Sequence, residues 1–217
     1  MITLRKITLD NRRAIFNLEV AEEQQKYAAS NLSSVASCYV LATNGGFPFP
    51  FAIYADEQPV GFVMVTYGIT GYDLPEIADN NYCILRLMID KEHQKQGYGR
   101  EALKKTIEFI RTFPAGPARL CWIPYSPDNL AAKKLYESLG FNENGEVCHG
   151  ELCNCTRTLS LISRELINRT TTEAFRVPCC LILWHSKANR PPPFVCLLNE
   201  EEIWIILNGS EVRSEKT

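Results

Sequence analysis

At 217 residues, the chain is long enough for one domain with an added segment, or for one large domain. Hydrophobic residues make up 46% and charged residues 22%, which is typical of a globular protein with a sizeable core. A formal net charge of −2 gives no general attraction to nucleic acid, and no apolar run is long enough to span a membrane. Residues 1–6 lack the apolar core of a signal peptide, so the sequence predicts a cytoplasmic protein.

Short apolar runs alternate with amphipathic stretches in the first 70 residues, which predicts mixed strands and helices. The expected elements, in chain order, are strand 2–7, helices 11–20 and 33–39, and strands 49–54 and 59–67. Asp10 is the candidate N-cap of the first helix. Residues 55–58 form a short polar turn, so the last two strands are expected to make a hairpin.

The stretch from residue 82 to residue 113 has the order strand, glycine turn, helix. Residues 82–89 are an apolar run of strand length, and residues 90–93 are polar. Over residues 98–113 the apolar side chains recur at helical spacing, with charged side chains on the opposite face. We therefore expect a buried strand that leads through a glycine turn into an amphipathic helix.

The following residues predict one more strand and one more helix. Residues 119–123 are expected to form a strand, and Ser126 is a candidate N-cap with Pro127 at the first helical position. That helix is expected to run to Leu139, and residues 141–152 then form a short hairpin. The order of elements predicts an α/β (α+β) fold, with a mostly antiparallel mixed sheet flanked by helices on both faces.

The glycine turn before the third predicted helix has a possible chemical use. The first N–H groups of a helix lack internal partners and carry the positive end of its dipole. Gly97 and Gly99 have no Cβ, so the backbone can approach a bulky anion such as a phosphate. The alternative is that the two glycines only form a tight turn. The turn is not a Walker A loop, and it lacks the third glycine of a dinucleotide fingerprint.

The same turn carries a resemblance to a known superfamily. Residues 94–99 resemble the Q/R-x-x-G-x-G/A signature of the GNAT acetyltransferases, which holds the pyrophosphate of acetyl-CoA. Residues 126–141 resemble the last helix of that superfamily, including Asn129 and Tyr136. Residues 24–34 are similar to the bacterial branch described as diamine or spermine/spermidine N-acetyltransferases.

The resemblance implies a GNAT acetyltransferase domain over residues 1–152 and acetyl-CoA as the cosubstrate. It also implies a set of cofactor-binding residues from the central strand, the glycine turn and the last helix. These are Leu87, Met88, Ile89, Gln94, Lys95, Gln96, Gly97, Tyr98, Gly99, Arg100 and Asn129. Alternatively, Asn129 is an ordinary residue of the first turn of the helix, and it can have this role and the cofactor-binding role together.

Acetyl transfer to an amine needs a proton donor for the departing thiolate and loss of a proton from the amine. The resemblance makes Tyr136 the general acid, and its alternative is a core tyrosine. Glu22 is our candidate base, acting through water, and the alternative is a solvated acidic surface. The other candidate acceptor-binding residues, which equally suit a surface or a core, are Glu19, Glu23, Tyr27, Trp122 and Tyr125.

Residues 153–217 differ in character and resemble nothing in the superfamily. Apolar runs of strand length occur at residues 179–184, 194–198 and 203–207. We interpret this extension as an added β unit, an interface or a frame-shifted end of the gene, and we prefer the last two. Most of the chain's nine cysteines lie after residue 147, but their spacing is not that of a zinc site, so we predict no metal and no disulfides.

The leading hypothesis is a cytosolic, acetyl-CoA-dependent N-acetyltransferase that acts on a small polyamine or diamine. Another small amine or a protein N-terminus remains open as the acceptor, because acceptor loops vary on one fold. A CoA-binding module without turnover is the alternative from a different class. We expect a small-molecule amine as partner, no nucleic acid and no membrane, and homodimerisation is possible for the family.

Overall fold

The computed structural model describes residues 1–69, 74–148, 151–158, 195–199, 202–207 and 210–212. The chain divides into two compact units, Met1–Ser163 and Arg164–Thr217. The first unit contains the candidate functional site. Within the described ranges, every helix is too short or too polar to cross a bilayer.

The first unit is built on a seven-stranded sheet. Its strands are β1 (Ile2–Lys6), β2 (Phe47–Ala55), β3 (Gln58–Tyr67), β4 (Tyr82–Ile89), β5 (Leu120–Tyr125), β6 (Val147–Cys148) and β7 (Glu151–Thr158). Their order across the sheet is β1-β2-β3-β4-β5-β7-β6. Every neighbouring pair is antiparallel except β4 and β5, which run parallel. The predicted boundary at residue 152 falls inside β7.

Helices cover both faces of this sheet. The α-helices are α1 (Arg12–Phe16), α2 (Asn31–Thr43), α3 (Tyr98–Ile110) and α4 (Leu130–Glu137), with 3₁₀ turns at Glu22–Tyr27, Glu76–Ala78 and Lys91–His93. One apolar core lies between the sheet and α3 and α4, and a second lies between the sheet and α1 and α2. The predicted mixed sheet with helices on both faces is confirmed.

The first helix is shorter than predicted and has a different N-cap. α1 ends at Phe16 rather than at residue 20, and Asn11 occupies the N-cap position instead of Asp10. The reason is a long-range contact, since the buried Asp90 carboxylate accepts the Glu19 N–H at 2.9 Å. The Glu19 carbonyl in turn accepts the N–H of Lys91 at 2.8 Å. Glu19 is therefore held in an extended connection, beyond the end of the helix.

The fourth helix begins later than predicted. Asn129 is its N-cap and accepts the Ala132 N–H at 3.1 Å, whereas Ser126 was expected at that position. The Ser126 hydroxyl instead donates to Asp128 Oδ1 at 2.6 Å. The Asn129 N–H donates to the Ser126 carbonyl at 2.9 Å, which closes a turn before the helix starts. Gly140, at φ 81°, follows the end of the helix as a C-terminal glycine commonly does.

Three strands are described in the second unit. They are β8 (Val195–Asn199), β9 (Glu202–Leu207) and β10 (Ser210–Val212), which pair antiparallel in the order β10-β9-β8. Two of the three predicted apolar runs are therefore strands, and the run at residues 179–184 lies outside the described residues. The late cysteines and histidines lie there too, or have side chains that the structure does not describe. Elsewhere in the described part, no group of three metal-ligating side chains converges.

Candidate active site

The candidate site is a cleft that opens where β4 and β5 separate. These strands pair only at their first residues, Tyr82 with Cys121 and Cys83 with Trp122. Beyond that point they diverge, and residues 84–89 of β4 form one wall of a cleft of about 380 Å³. The backbone groups that would otherwise complete the β4–β5 ladder are therefore available to a ligand along this wall.

The β4 wall is held from behind by a close approach of β3. Gly61 pairs with Ile89, and a Cβ built at Gly61 would lie 2.4 Å from the Met88 carbonyl oxygen. No side chain fits that space, so the glycine allows β3 to lie directly against the cleft-lining part of β4. The position of Met88 in the wall depends on this contact.

The N-terminus of α3 forms the end of the cleft. Gly97 is the N-cap at φ 81°, a left-handed conformation that glycine adopts without strain. Lys95 also has a positive φ of 61°. The N–H groups of Tyr98 and Gly99 donate to no acceptor in the described part of the chain, and both residues line the cleft. The backbone therefore presents open donors and the positive end of a helix dipole to an anion.

The glycine turn is tied to the opposite side of the cleft by a pair of amide side chains. Gln94 Nε2 donates to Gln24 Oε1 at 2.7 Å and to the Ile89 carbonyl at 3.0 Å. Gln24 Nε2 donates back to Gln94 Oε1 at 3.2 Å. Gln94 lines the cleft, but its amide is engaged by the protein, so its main effect is to position the turn.

The second wall comes from β5 and α4. Tyr136 is 7% exposed and lines the cleft, with its ring edge-on to Tyr125 at a centroid distance of 5.9 Å. The Tyr125 hydroxyl donates to the Glu143 carboxylate, which also accepts from Lys133 at 2.9 Å. These two partners, Tyr125 first, hold the pKa of Glu143 below its usual range. The two tyrosine rings are therefore packed and fixed beside the cleft.

An exposed ion pair crosses between the two sides of the cleft. Lys26 Nζ lies 2.5 Å from Asp128 Oδ2, which joins the 3₁₀ turn at Glu22–Tyr27 to the turn before α4. The Lys26 ammonium, followed by the Ser126 hydroxyl, holds the pKa of Asp128 well below its usual range. Both side chains are more than half exposed, so the pair is screened by solvent and contributes little to stability.

Most of the sequence-predicted site residues line this one cleft. They are Tyr27, Leu87, Met88, Ile89, Gln94, Lys95, Gly97, Tyr98, Gly99, Tyr125, Asn129 and Tyr136. Gln96 and Arg100 belong to the same turn but do not line it, and Arg100 Nη1 donates to the Ser138 hydroxyl at 2.6 Å.

The candidate acceptor residues divide into two groups. Glu22 and Glu23 are exposed on the 3₁₀ turn and do not line the cleft, and Glu19 pairs with Lys91 at 3.1 Å on the surface. Trp122 is 2% exposed and packs beside Cys83 in the core. Of the predicted acceptor residues, only Tyr27 and Tyr125 line the cleft.

Several cleft residues, among them three with polar or charged side chains, were assigned no site role from the sequence. Asn31, Arg86 and His93 all line the cleft. Among the described residues that line it there is no aspartate or glutamate, while Arg86 and Lys95 are cationic. No local pattern marks Asn31 or Arg86, because one lies at a helix start and the other in an apolar strand, and only the fold brings them together.

Residues 5–141 match the sequence model of the acetyltransferase (GNAT) family. The chain belongs to this family. Its members use acetyl-CoA as cosubstrate, and the chain is an acetyl-CoA-dependent N-acetyltransferase. The family match runs from the end of β1 to beyond α4 and therefore includes every residue that lines the cleft.

Curated relatives cover most of the same region. The spermine/spermidine N(1)-acetyltransferase of Bacillus subtilis is 29% identical over 150 residues, which are 67% of this chain and 91% of that protein. The ribosomal protein bS18-alanine N-acetyltransferase of Escherichia coli is 31% identical over 94 residues, which are 43% of this chain and 62% of that protein.

Solved structures share the fold. The aminoglycoside acetyltransferase AAC(6')-Ib with coenzyme A superposes with a TM-score of 0.58 at 19% identity, over 78% of this chain and 99% of that chain. The spermidine N-acetyltransferase of Vibrio cholerae with CoA and spermine gives 0.53 at 18% identity, over 73% of this chain and 96% of that chain. At these identities the similarity shows the fold alone.

The cleft fits the cosubstrate chemically. The open N–H groups of Tyr98 and Gly99, with Lys95 beside them, suit a pyrophosphate. The unpaired edge of β4 suits the amide groups of a pantetheine arm, which can hydrogen-bond to it as a neighbouring strand would. A Cβ at Gly99 would lie 3.6 Å from Ile89 and 3.8 Å from Leu135, which are ordinary van der Waals distances.

Proposed function

We propose that this N-acetyltransferase acts on a primary amine of a small polyamine or diamine. The observation that carries the proposal is the single cleft that joins an anion-binding helix start to Tyr136 along the unpaired edge of β4. Support for a polyamine comes from the Bacillus subtilis relative, whose name gives spermine and spermidine as its acceptors. We also propose that the protein is cytoplasmic and that it forms a homodimer.

The cosubstrate supplies an activated acetyl thioester, and the protein must orient it. In our proposal the backbone of Tyr98 and Gly99 binds its pyrophosphate. Backbone groups of Leu87, Met88 and Ile89 in β4 face the acetyl and pantetheine parts, and one of their N–H groups polarises the thioester carbonyl. Asn129 caps α4 and lines the cleft, so it is suited to contact the arm from the other wall.

Tyr136 is the proposed general acid. It is buried, lines the cleft and is fixed by its packing against Tyr125 and Phe141. A tyrosine hydroxyl can donate its proton as the thiolate leaves, and proton donation of this kind typically contributes 10²–10⁴-fold to a rate. A packed ring places that proton in a fixed direction, which is what general acid catalysis requires.

The acceptor amine must be neutral to attack, and an alkylammonium has an ordinary pKa of about 10.4. The proposed base, Glu22, is exposed and does not line the cleft, so it would act through water from the mouth of the cleft. Glu19 and Glu23 would attract a polycation at the same surface. Tyr27, which lines the cleft with its ring 4.6 Å from the Lys26 ammonium, gives the amine an aromatic wall.

The test is the release of CoA thiol by purified protein with a panel of amines. The panel contains spermine, spermidine, putrescine, an aminoglycoside, a free amino acid and a peptide with an N-terminal alanine. We expect polyamine-dependent release with a single acetyl group added, read by mass spectrometry. Preference for the peptide or the aminoglycoside would contradict the polyamine proposal while preserving the acetyltransferase.

A variant of the glycine turn tests whether turnover depends on CoA binding at that turn. Gly97→Val places a β-branched side chain at φ 81°, which strains the turn and removes the anion site. We expect this variant to lose CoA binding in calorimetry and thiol release together. Wild-type protein that binds CoA but acetylates no amine would favour the binding-module alternative.

A further inference from the structure

Asn31 is a buried polar residue in the wall of the cleft. It is the first residue of α2, it is 2% exposed, and it lines the cleft beside β4. Its Nδ2 donates to the Ile15 carbonyl at 2.8 Å and lies 3.7 Å from Met88 Sδ. The side chain is therefore fixed between α1 and the strand proposed to hold the thioester.

The orientation of the amide follows from these contacts. Only the NH₂ group can donate to the Ile15 carbonyl, so Oδ1 must point the other way. Oδ1 accepts no hydrogen bond from the described residues. Asn31 lines the cleft, and Oδ1 is the polar atom of its side chain that remains to accept a hydrogen bond from a ligand there.

This oxygen lies on the face of the sheet that α1 and α2 cover. Arg86 of β4 pairs with Met64 of β3, and Met88 pairs with Phe62. Met64, Phe62 and Met88 belong to the core beneath α1 and α2. The anion-binding turn and α4 pack on the opposite face, with the other core. A ligand group that reaches Asn31 therefore approaches the β4 wall from the side away from α3.

We propose that Asn31 Oδ1 accepts an N–H hydrogen bond from the attacking amine and so directs its lone pair at the thioester carbon. The inference rests on the proposed function and names a residue that recognises the acceptor. A primary amine has two N–H groups when neutral, so one can bind Asn31 while the lone pair stays free.

The proposed step is balanced. The amine nitrogen forms a bond to the carbonyl carbon, the carbon–sulfur bond breaks with its electrons on sulfur, and one amine proton leaves to water or the base. The sulfur takes a proton from Tyr136, and the amide product keeps one N–H for Asn31. The acceptor nitrogen therefore offers an N–H to Asn31 both before transfer, as an amine, and after transfer, as an amide.

The experiment compares Asn31→Ala with Asn31→Asp. Asn31→Ala removes both the donor to Ile15 and the oxygen at the cleft surface. Asn31→Asp loses the same donor but keeps an oxygen at the cleft. We expect Asn31→Ala to lower kcat/KM for the amine about tenfold, the usual effect of one lost hydrogen bond. Asn31→Asp should stay within about threefold of wild type, although both variants melt at lower temperature.

Two further readouts exclude a purely structural role. The KM for acetyl-CoA should be unchanged in both variants. In wild-type protein with CoA bound, the side-chain amide resonance of Asn31 should move when the amine is added, which requires no variant to fold. An unmoved resonance, or equal loss of kcat/KM in both variants in step with melting temperature, would overturn the inference. Wild-type protein that acetylates no amine would overturn the proposed function as well.

Discussion

Replacing Tyr136 with phenylalanine removes one hydroxyl from the cleft wall and leaves the ring. The ring contacts with Tyr125 and Phe141, at centroid distances of 5.9 and 6.1 Å, are preserved in this variant. We therefore expect a melting temperature close to that of wild type. If the hydroxyl is the general acid, kcat should fall by about 10²–10⁴-fold, which corresponds to about 2.7–5.4 kcal/mol in activation free energy.

The assay is thiol release at saturating amine, over a range of acetyl-CoA concentrations that extends to saturation. The KM for acetyl-CoA should change little, because the ring still fills the wall. The loss should be confined to kcat.

Tyr125→Phe is the matched control. Tyr125 lines the same cleft and is also buried, but its hydroxyl is bound by the Glu143 carboxylate. We expect this variant to retain kcat within about threefold, since the hydroxyl is engaged by the protein. A Tyr136→Phe enzyme that turns over at half the wild-type rate or faster would refute the assignment of Tyr136 as acid.

Three further predictions follow from contacts around the cleft and the second core. Gly61→Ala places a Cβ 2.4 Å from the Met88 carbonyl oxygen, so we expect the free energy of unfolding in urea to fall by about 1–3 kcal/mol and CoA binding in calorimetry to weaken. Unchanged values would show that β3 can move away from β4 without cost. Asp128→Asn should speed CoA dissociation about two- to fivefold in stopped flow, because it breaks the ion pair that joins the two sides of the cleft, and high salt should narrow the difference between the variant and wild type. Burial raises the pKa of the Cys38 thiol to about 11, so its contribution to stability is complete below about pH 9 and is lost as pH rises toward 11. Cys38→Ala should therefore lose less stability than wild type over that interval, by chemical denaturation, and parallel curves would contradict this.

The central elements could be predicted because their signals are local. The apolar run of β4 and the helical spacing of α3 are complete within the stretch from residue 82 to residue 110. In the glycine turn between them, Gly97 has a positive φ of 81°, a conformation that glycine adopts more easily than other residues. Local sequence patterns were therefore sufficient to predict the glycine turn that forms one end of the cleft.

Long-range contacts decided what local patterns could not. α1 ends early because Asp90 binds the Glu19 N–H from 71 residues away. α4 starts late because the Ser126 hydroxyl donates to Asp128, which also binds Lys26, and Asn129 caps the helix instead. The acidic residues of the 3₁₀ turn were expected near the acceptor, yet their side chains project to solvent. Such pairings depend on which distant segments the sheet brings together, and local sequence patterns do not show this.

The paired amides of Gln24 and Gln94 connect the part of the cleft proposed to bind acetyl-CoA with the part proposed to bind the amine. One amide belongs to the turn that binds the anion, and the other belongs to the segment that carries Tyr27 on the acceptor side. A movement of the first segment on cosubstrate binding would be passed to the second through these two hydrogen bonds. We therefore expect acetyl-CoA to bind before the amine, and product-inhibition kinetics would show that order.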